Sequence, residues 1–271
     1  MAGVWRLLID PPARGAWNMA EDEAILEHVG RGESPPTLRL YDWQPACLSL
    51  GYAQPYADVD VTRLQQRGWD LVRRPTGGRA ILHTDELTYS VIAAPSEEHV
   101  AGSLLESYNR LAGALLHAAR LLDLDAHMTA HAEANRNSAN PVCFEAPSAY
   151  EITVDGKKLI GSAQARRKDG VLQHGSLPLC GDLRRITDAL AYPDDRRRQE
   201  AAERLLGRAT SVESVLHRIV SWNQAAEAFI KGFETVLGLR FERRQLSEPE
   251  SQRAQALVEE KYGRSEWIQR T

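Results

Sequence analysis

Apolar and polar residues follow two different periods along this chain, which predicts a mixture of strands and helices. Short apolar or alternating runs, typical of strands, occupy residues 4–9, 37–41, 46–50, 69–74, 80–82 and 87–93. Segments with helical spacing occupy residues 18–29, 60–67 and 102–122. Strands and helices do not alternate strictly, so the sequence predicts an α+β fold with mixed or antiparallel sheets flanked by helices.

The second half of the chain begins with a predicted strand meander. Residues 150–154 and 158–166 flank Asp155-Gly156, and Asp-Gly between two alternating runs predicts a hairpin. A further strand is expected at 171–177. Residues 130–147 show no period and predict an irregular loop.

Helical signals dominate from residue 182 onward. Ser221 with Gln224, and Ser247 with Glu250, have the spacing of capping boxes that begin helices. Gly238 stands where a helix ends, before a predicted strand at 239–243. Because no linker divides the chain, we expect one domain over residues 1–271.

Composition narrows the class of protein. Of 271 residues, 43% are hydrophobic, and the net charge of −4 argues against a nucleic-acid-binding surface. No apolar run has the length of a signal peptide or a membrane span. Cys47, Cys143 and Cys180 are too few and too widely spaced for a disulfide framework or a zinc site. A reduced, cytoplasmic protein without a membrane partner is expected, with Cys47 and Cys180 packed in the core.

The first segment with candidate chemistry is a turn rich in arginine and glycine. Arg73 and Arg74 end a strand, and Pro75-Thr76-Gly77-Gly78-Arg79 leads toward His83. Glycine lets backbone N–H groups approach a ligand closely, and arginine adds positive charge. Such a turn can bind a phosphate, a carboxylate or a developing oxyanion, although an ordinary hairpin turn has the same composition.

The second segment holds Cys143 in a polar loop between Pro141 and Pro147. Prolines restrict the backbone, and a thiol presented in this way is a candidate nucleophile. A lone cysteine is more often buried as a small apolar residue. The loop alone leaves both interpretations open.

The third segment runs from Gly156 to Gln164 and contains Lys158. Strand alternation puts Lys158, Ile160 and Ser162 on one face. A lysine in line with small residues can extend over a binding groove. The plainer interpretation is a hairpin lysine in water.

Together the three segments resemble the signatures of the biotin/lipoate protein ligase (BPL/LPL) and transferase superfamily. The similar stretches are Arg-Arg-Pro-Thr-Gly-Gly-Arg, Val-Cys-Phe-Glu-Ala-Pro-Ser-x-Tyr-Glu and Gly-Lys-Lys-x-x-Gly-Ser-Ala-Gln. Within the superfamily, octanoyltransferases of the LipM type are most similar, and the resemblance extends from Asn18 to Trp267. It implies a single BPL/LPL-type catalytic domain without a separate C-terminal accessory domain.

The resemblance implies a protein N-octanoyltransferase of lipoate biosynthesis that works through an acyl thioester. In this scheme Cys143 attacks octanoyl-acyl carrier protein. A lysine of a lipoyl-domain protein, typically glycine cleavage H protein, then takes the octanoyl group as an amide. Lys158 lies beside the thiol and lowers its pKa, which increases the thiolate fraction. One thioester replaces another, so no ATP, metal or other cofactor is expected.

The resemblance also supplies the expected substrate-binding residues. They are Arg73, Arg74, Thr76, Gly77, Gly78, His83, Gly161, Ser162, Ala163, Gln164, His174 and Gly175. Backbone N–H groups near Gly77, Gly78 or Cys143 are candidates for stabilising the tetrahedral oxyanion. Arg79 stands where many ligases have a third glycine, and Thr84 where many have aspartate. The bulk of Arg79 narrows the space for an acyl-adenylate, which favours a transferase.

Two other features are interpreted as structural. His127 and His131 are four residues apart with Glu133 nearby, but the predicted strand and loop do not suit a helical metal pair. The charged run 194–200 is expected to be a solvated helix face. An acidic carrier protein requires some basic surface near the site entrance, and Arg196 to Arg198 are one candidate for it.

Three alternative functions remain open from the sequence. The first is an amidotransferase that moves octanoyl from the H protein to another lipoyl domain with the same cysteine and lysine. The second is an ATP-dependent lipoate-protein ligase, which needs no cysteine. The third is a non-catalytic binding module, against which the presence of both Cys143 and Lys158 counts.

Overall fold

The computed structural model describes residues 3–130 and 150–270. Within them the strands are β1 (Gly3–Ile9), β2 (Thr37–Tyr41), β3 (Cys47–Leu50), β4 (Asp70–Arg73), β5 (Ile81–His83), β6 (Glu86–Ala93), β7 (His127–Ala130), β8 (Tyr150–Val154), β9 (Lys157–Arg167), β10 (Gly170–Pro178) and β11 (Leu239–Arg243). The α-helices are α1 (Gly15–Gly30), α2 (Val61–Gln66), α3 (Leu104–Leu121), α4 (Asp195–Arg208), α5 (Val212–Leu216), α6 (Trp222–Leu237), α7 (Glu248–Leu257) and α8 (Ser265–Ile268). Short 3-10 helices at Tyr56–Asp58 and Leu183–Asp188 and a π-helical turn at Val258–Tyr262 complete the list. Among these described helices, none is both long and apolar enough to cross a membrane.

The strands form two sheets. The larger has the order β11-β1-β2-β6-β10-β9-β8-β7, and the smaller has the order β4-β3-β5. β1 is parallel to β2 and β11, and β3 is parallel to β4, whereas the other pairs are antiparallel. The predicted α+β class with mixed sheets and flanking helices is therefore confirmed.

The main core lies between the large sheet and the helix pair α3–α6. Phe229 and Phe233 of α6 lie four residues apart on one face of the helix and are fully buried against Tyr89 of β6. A Cβ at Gly232 would lie 2.6 Å from the carbonyl oxygen of Ala114. Glycine at this position therefore allows α6 to pack closely on α3.

Local signals in the second half of the chain are confirmed. The hairpin turn at Asp155 and Gly156 has φ angles of 50° and 73°, as an Asp-Gly turn requires. Both predicted capping boxes are formed, by Ser221 with Gln224 and by Ser247 with Glu250. Gly238 ends α6 in the left-handed conformation with φ 63°.

Two expectations for the cysteines have different outcomes. Cys47 is fully buried in β3 as predicted, and burial raises the pKa of its thiol. Cys180 is only half-buried, because it lies in a bend after β10 rather than in an apolar strand, so its predicted core position is wrong. Cys143 and most of the predicted loop at 130–147 lie outside the described residues.

Helix α1 begins earlier than the sequence predicts and is buried on most sides. It lies against β6 and β10, against the small sheet, and against α7. A Cβ at Gly15 would lie 2.3 Å from the Cys47 sulfur, so glycine permits the first turn to approach β3. Residues 15–17 have neither a side-chain cap nor an amphipathic pattern, and this is why the pattern misses the first turn.

One buried arginine anchors α1 to the large sheet. Arg39 on β2 is fully buried and donates to Asp10 at 2.6 Å, to Asp22 at 2.9 Å and to Glu21 at 2.8 Å. It also donates to the side chain of Asn18 at 3.0 Å. Burial of this crowded group raises the pKa of Glu21 to about 8, which relieves part of the negative charge.

We predict that Arg39→Met lowers the free energy of unfolding by about 3–5 kcal/mol, because it leaves buried carboxylates without their counter-charge. Urea denaturation measures the change. Arg31→Met is the matched control, since Arg31 pairs with Glu33 at the surface, where such pairs contribute about 1 kcal/mol or less. Equal losses in the two variants would contradict the prediction.

Candidate functional site

A cavity of about 910 Å³ lies between β9 and β10 of the large sheet, β3 and β5 of the small sheet, and the turn between β4 and β5. Its volume is within the range of small-molecule sites. Twelve of the fourteen predicted site residues line it: Arg74, Thr76, Gly77, Gly78, His83, Lys158, Gly161, Ser162, Ala163, Gln164, His174 and Gly175. Arg73 is not part of the lining, and Cys143 lies outside the described residues.

The side chain of Arg74 stabilises the turn between β4 and β5 by hydrogen bonds to its backbone. Its buried guanidinium donates to the carbonyl oxygens of Gly77 at 2.8 Å and Arg79 at 2.7 Å. On the β3 side it donates to the Ser49 carbonyl at 2.9 Å. Hydrogen bonds from a charged donor are stronger than neutral ones. The shape of the turn therefore depends on Arg74.

Two glycines let the turn pack against β3. A Cβ at Gly51 would lie only 1.9 Å from the Gly78 carbonyl oxygen, a distance no side chain can occupy. Gly78 has φ 94°, which L-residues with side chains rarely adopt. Gly77 has open space where its Cβ would be. Gly51 and Gly78 are thus required by packing and backbone conformation, whereas Gly77 leaves its backbone unobstructed at the cavity.

His174 on β10 links the cavity to α1. Its Nε2 lies 2.6 Å from the Thr76 hydroxyl and its Nδ1 lies 3.5 Å from Asp22. Burial lowers the pKa of His174, whereas hydrogen bonds and the nearby Arg39 outweigh burial and lower the pKa of Asp22. A neutral ring that donates from Nδ1 to the carboxylate and accepts from Thr76 satisfies both contacts.

His83 on β5 is held by a second set of contacts. Its Nε2 lies 2.8 Å from the Ser49 hydroxyl and its Nδ1 lies 2.6 Å from Glu86. The ring stacks on Trp43 with centroids 4.0 Å apart. A neutral ring that donates from Nδ1 to Glu86 and accepts at Nε2 from the Ser49 hydroxyl, which itself accepts from Arg74, satisfies all these contacts. Both ring nitrogens are thus used within the protein.

The cavity wall on β9 and β10 is closely packed. A Cβ at Gly175 would lie 2.2 Å from the Gly161 carbonyl oxygen, so a glycine is required where the strands meet. The Tyr89 hydroxyl accepts from Gln173 at 3.1 Å and is hydrogen-bonded to the Ser162 hydroxyl at 2.7 Å. These contacts fix the strand edge that carries the predicted substrate-binding residues.

Lys158 is buried at the cavity, with 4% of its surface exposed. Its Nζ donates to Glu151 of the neighbouring strand β8 at 2.8 Å, and Glu151 is 7% exposed. The plainer interpretation of a hairpin lysine in water is therefore wrong. Glu151 is the last residue of the stretch that contains Cys143, but no local pattern in the sequence pairs it with Lys158.

Arg73 points away from the cavity although its neighbour lines it. Its guanidinium donates to the carbonyl oxygens of Gly51, Tyr52 and Gln54 at 2.8, 3.2 and 2.6 Å. It also donates to the Ile268 carbonyl from Nε at 3.0 Å and from Nη2 at 2.8 Å. Arg73 does not line the cavity, so no contact within the described part of the chain supports its predicted role in substrate binding.

The cavity is cationic although the chain is acidic. Five basic side chains line it and no carboxylate does among the described residues: Arg74, Arg79, Lys158, Arg166 and Arg167. The chain as a whole carries a net charge of −4. Carboxylates outside the lining compensate two of the five, because Lys158 pairs with Glu151 and Arg167 with Glu23. The remaining positive charge favours negatively charged groups at the site.

The alternative docking candidates Arg196 to Arg198 lie on α4 and are not part of the cavity lining. Arg196 and Arg197 pair with Glu200, and Arg198 pairs with Asp188 at 2.9 Å. Neighbouring carboxylates therefore compensate their charge, as expected for a solvated helix face.

An apolar part of the wall was not identified from the sequence. Met19, Tyr41, Trp43 and Ile81 contribute to it. They come from α1, β2, the β2–β3 connection and β5, and so no local period links them. Only the tertiary fold brings them together.

Possible metal ligands lie away from the cavity. Among the described residues, the group close enough to hold an ion is Glu97, Glu98 and His99, and none of the three lines the cavity. His127 is exposed on β7 and lies 3.2 Å from Asp125. His131 and Glu133 lie outside the described residues.

Comparison with known proteins identifies similar sequences over nearly the whole chain. Residues 14–234 match the model of the lipoyl protein ligase A/B catalytic domain. An octanoyltransferase LipM from Kyrpidia tusciae is 41% identical over 268 residues, which cover 97% of each chain. The octanoyltransferase LipM of Bacillus subtilis is 37% identical over 269 residues, again covering 97% of each chain.

Solved structures show the same fold. A bipartite lipoate protein ligase from Thermoplasma acidophilum has a TM-score of 0.81 at 26% identity and covers 99% of this chain and 96% of its own. A lipoate-protein ligase A bound with ATP has a TM-score of 0.80 at 28% identity and covers 99% of each chain.

We predict that Gly51→Ala lowers the free energy of unfolding by about 1–3 kcal/mol, because the new methyl group displaces the backbone of the glycine turn. Urea denaturation measures the change. Gly207→Ala is the control, since Gly207 lies in α4 with open space at its Cβ position. There the same substitution is expected to be neutral or stabilising. A neutral Gly51→Ala would contradict the steric argument.

Proposed function

This chain belongs to the lipoyl protein ligase A/B catalytic-domain family and is an octanoyltransferase of lipoate biosynthesis, and we propose that it carries the octanoyl group as a thioester on Cys143. The observation that carries the proposal is the buried Lys158, which lines the cavity and is paired with Glu151. A buried ammonium stabilises a nearby thiolate by charge, as the proposed nucleophile requires.

The proposed first step transfers the acyl group to the enzyme. The Cys143 thiolate attacks the thioester carbonyl of octanoyl-acyl carrier protein, the C–S bond to the carrier breaks, and the carrier leaves as a thiolate. One thioester bond forms as another breaks, so the step is close to balanced in energy. The step therefore needs neither ATP nor a metal ion.

The proposed second step transfers the octanoyl group to a lipoyl-domain protein. The ε-amine of its lysine attacks the enzyme thioester, a C–N bond forms and the C–S bond to Cys143 breaks. The amine loses a proton, and the cysteine returns as a thiolate. Amide formation from a thioester is favourable and drives the sequence forward. Glycine cleavage H protein is the proposed acceptor.

The glycine turn is the proposed site of oxyanion stabilisation. Each step passes through a tetrahedral intermediate with a negatively charged oxygen, which hydrogen-bond donors fixed in advance stabilise strongly. Gly77 and Gly78 border the cavity, and Arg74 holds their backbone in place. The cationic lining supports the same role, because it favours negative charge in the cavity.

Two related functions use the same cavity. An amidotransferase would take octanoyl from the H protein rather than from acyl carrier protein. The second alternative is an ATP-dependent ligase, and the structural similarity to a lipoate-protein ligase A bound with ATP is the observation that suggests it. The side chain of Arg79 at the cavity, where many ligases have glycine, supports the transferase.

We predict that mixing the enzyme with octanoyl-acyl carrier protein increases its intact mass by one octanoyl group. The adduct should be labile to hydroxylamine and absent from Cys143→Ala, because only a thioester on this thiol has both properties. Intact-mass spectrometry measures it. A wild-type enzyme without an adduct would exclude the thioester mechanism.

The same assay separates the alternatives. An adduct from octanoylated H protein but not from the acyl carrier protein would indicate the amidotransferase. Cys143→Ser that still attaches lipoate in the presence of ATP would indicate the ligase.

We predict that Lys158→Ala shifts alkylation of Cys143 to higher pH, because the thiolate loses a nearby positive charge. Iodoacetamide labelling across a pH series, with Cys143 followed by peptide mass spectrometry, measures the shift. Lys157→Ala is the matched control, since the two lysines are adjacent but only Lys158 lines the cavity. Identical profiles for both variants would mean that Lys158 does not act on the thiol.

A further inference from the structure

We propose that residues 265–270, here called the α8 segment, position one wall of the substrate cavity through Arg73. The wall is the loop Tyr52-Ala53-Gln54, which lines the cavity. The inference assigns Arg73 and Trp267 a positioning role. Its kinetic consequences rest on the proposed octanoyl transfer.

Arg73 is the link between the loop and the α8 segment. It is fully buried, and its Nη1 donates to three carbonyl oxygens of the loop region at 2.6 to 3.2 Å. Nε and Nη2 of the same guanidinium donate to Ile268. The contact is reciprocal, because the Trp267 indole donates to the Arg73 carbonyl oxygen at 2.8 Å.

A second contact reaches the loop directly. Arg270 lies over the Tyr52 ring at 4.2 Å and donates to its hydroxyl at 2.9 Å. The Trp267 ring meets the same tyrosine edge-on, with centroids 6.0 Å apart. Tyr52 is 40% exposed, so these contacts restrict a side chain that solvent would otherwise leave free.

The loop in turn contacts the glycine turn of the site. The Tyr52 backbone N–H donates to the Thr76 carbonyl at 2.8 Å, and Gly51 packs against Gly78. A displacement of the α8 segment therefore moves the loop that lines the cavity and its contacts with the glycine turn, whereas Arg74 holds the proposed oxyanion donors independently. We therefore expect the effect on substrate binding.

The α8 segment also has its own anchor on α1. Tyr262, just before it, hydrogen-bonds to Glu23, and Lys261 donates to the same carboxylate at 2.6 Å. The Lys261 ammonium lies 4.2 Å from the Trp267 ring centroid. The segment is thus fixed at both ends, as a positioning element must be. It lies beyond residues 14–234, which match the family model.

Trp267→Phe tests the proposal because it keeps an aromatic ring and removes the indole N–H that bonds to Arg73, together with part of the ring surface. We expect a KM for octanoyl-acyl carrier protein about fivefold higher, with kcat changed less than twofold, since a lost hydrogen bond of about 1 kcal/mol has this effect. Amide hydrogen exchange in residues 51–54 and 74–79 should become faster.

Trp222→Phe is the matched control. Trp222 begins α6, and its indole N–H has no hydrogen-bond partner among the described residues. The same chemical change there should leave KM and the exchange of residues 51–54 unchanged. If Trp267→Phe lowers Tm but leaves KM and local exchange as in the control, the positioning role is wrong.

A double-mutant cycle tests the second contact. Arg270→Met and Tyr52→Phe should each raise KM, and the double variant should be no worse than the more impaired single variant, because both remove one interaction. Additive effects would overturn this part. The exchange experiment needs no substrate, whereas the acyl-adduct assay tests the proposed function, so failure of one is distinguishable from failure of the other.

Discussion

The geometry of the site depends on a buried charge cluster that contains no cavity residue. Arg39 holds Asp22 and Glu21 of α1 against β2. Asp22 then faces His174, and His174 contacts Thr76 in the glycine turn. A single line of polar contacts thus extends from the core to the cavity. Buried ions are costly unless they are fully paired, so this cluster restricts α1 to one position on the sheet.

The two adjacent arginines of the signature motif show how strand alternation separates roles. Side chains of consecutive residues leave a strand on opposite faces. Arg74 therefore reaches the glycine turn, whereas Arg73 reaches the loop after β3 and the α8 segment. Both bind backbone carbonyl oxygens. Both arginines therefore shape the backbone around the cavity.

Local sequence signals predicted much of the fold. The strands at 37–41, 150–154 and 239–243 have the predicted bounds, because their patterns end at clear turn signals. The first turn of α1 was missed because tertiary packing, including the Gly15 contact with Cys47, replaces a cap there. Nearly all the predicted site residues that the structure describes line the cavity. Arg73 was the exception, because the motif does not indicate which face of its strand borders the cavity.

The pairing of Lys158 with Glu151 was beyond local prediction because it depends on the register between two strands. Thr153 pairs with Lys158, whereas the preceding residue, Ile152, pairs with Ile160. The register of the β8–β9 ladder therefore shifts between these two pairs. A buried ammonium without a partner is costly. Glu151 on the neighbouring strand supplies that partner, because Nζ of Lys158 donates to it at 2.8 Å. In the proposed mechanism the carboxylate also weakens the field of the ammonium at the thiol. The geometry of the pair therefore matters, and two hydrogen-bonded strands fix it.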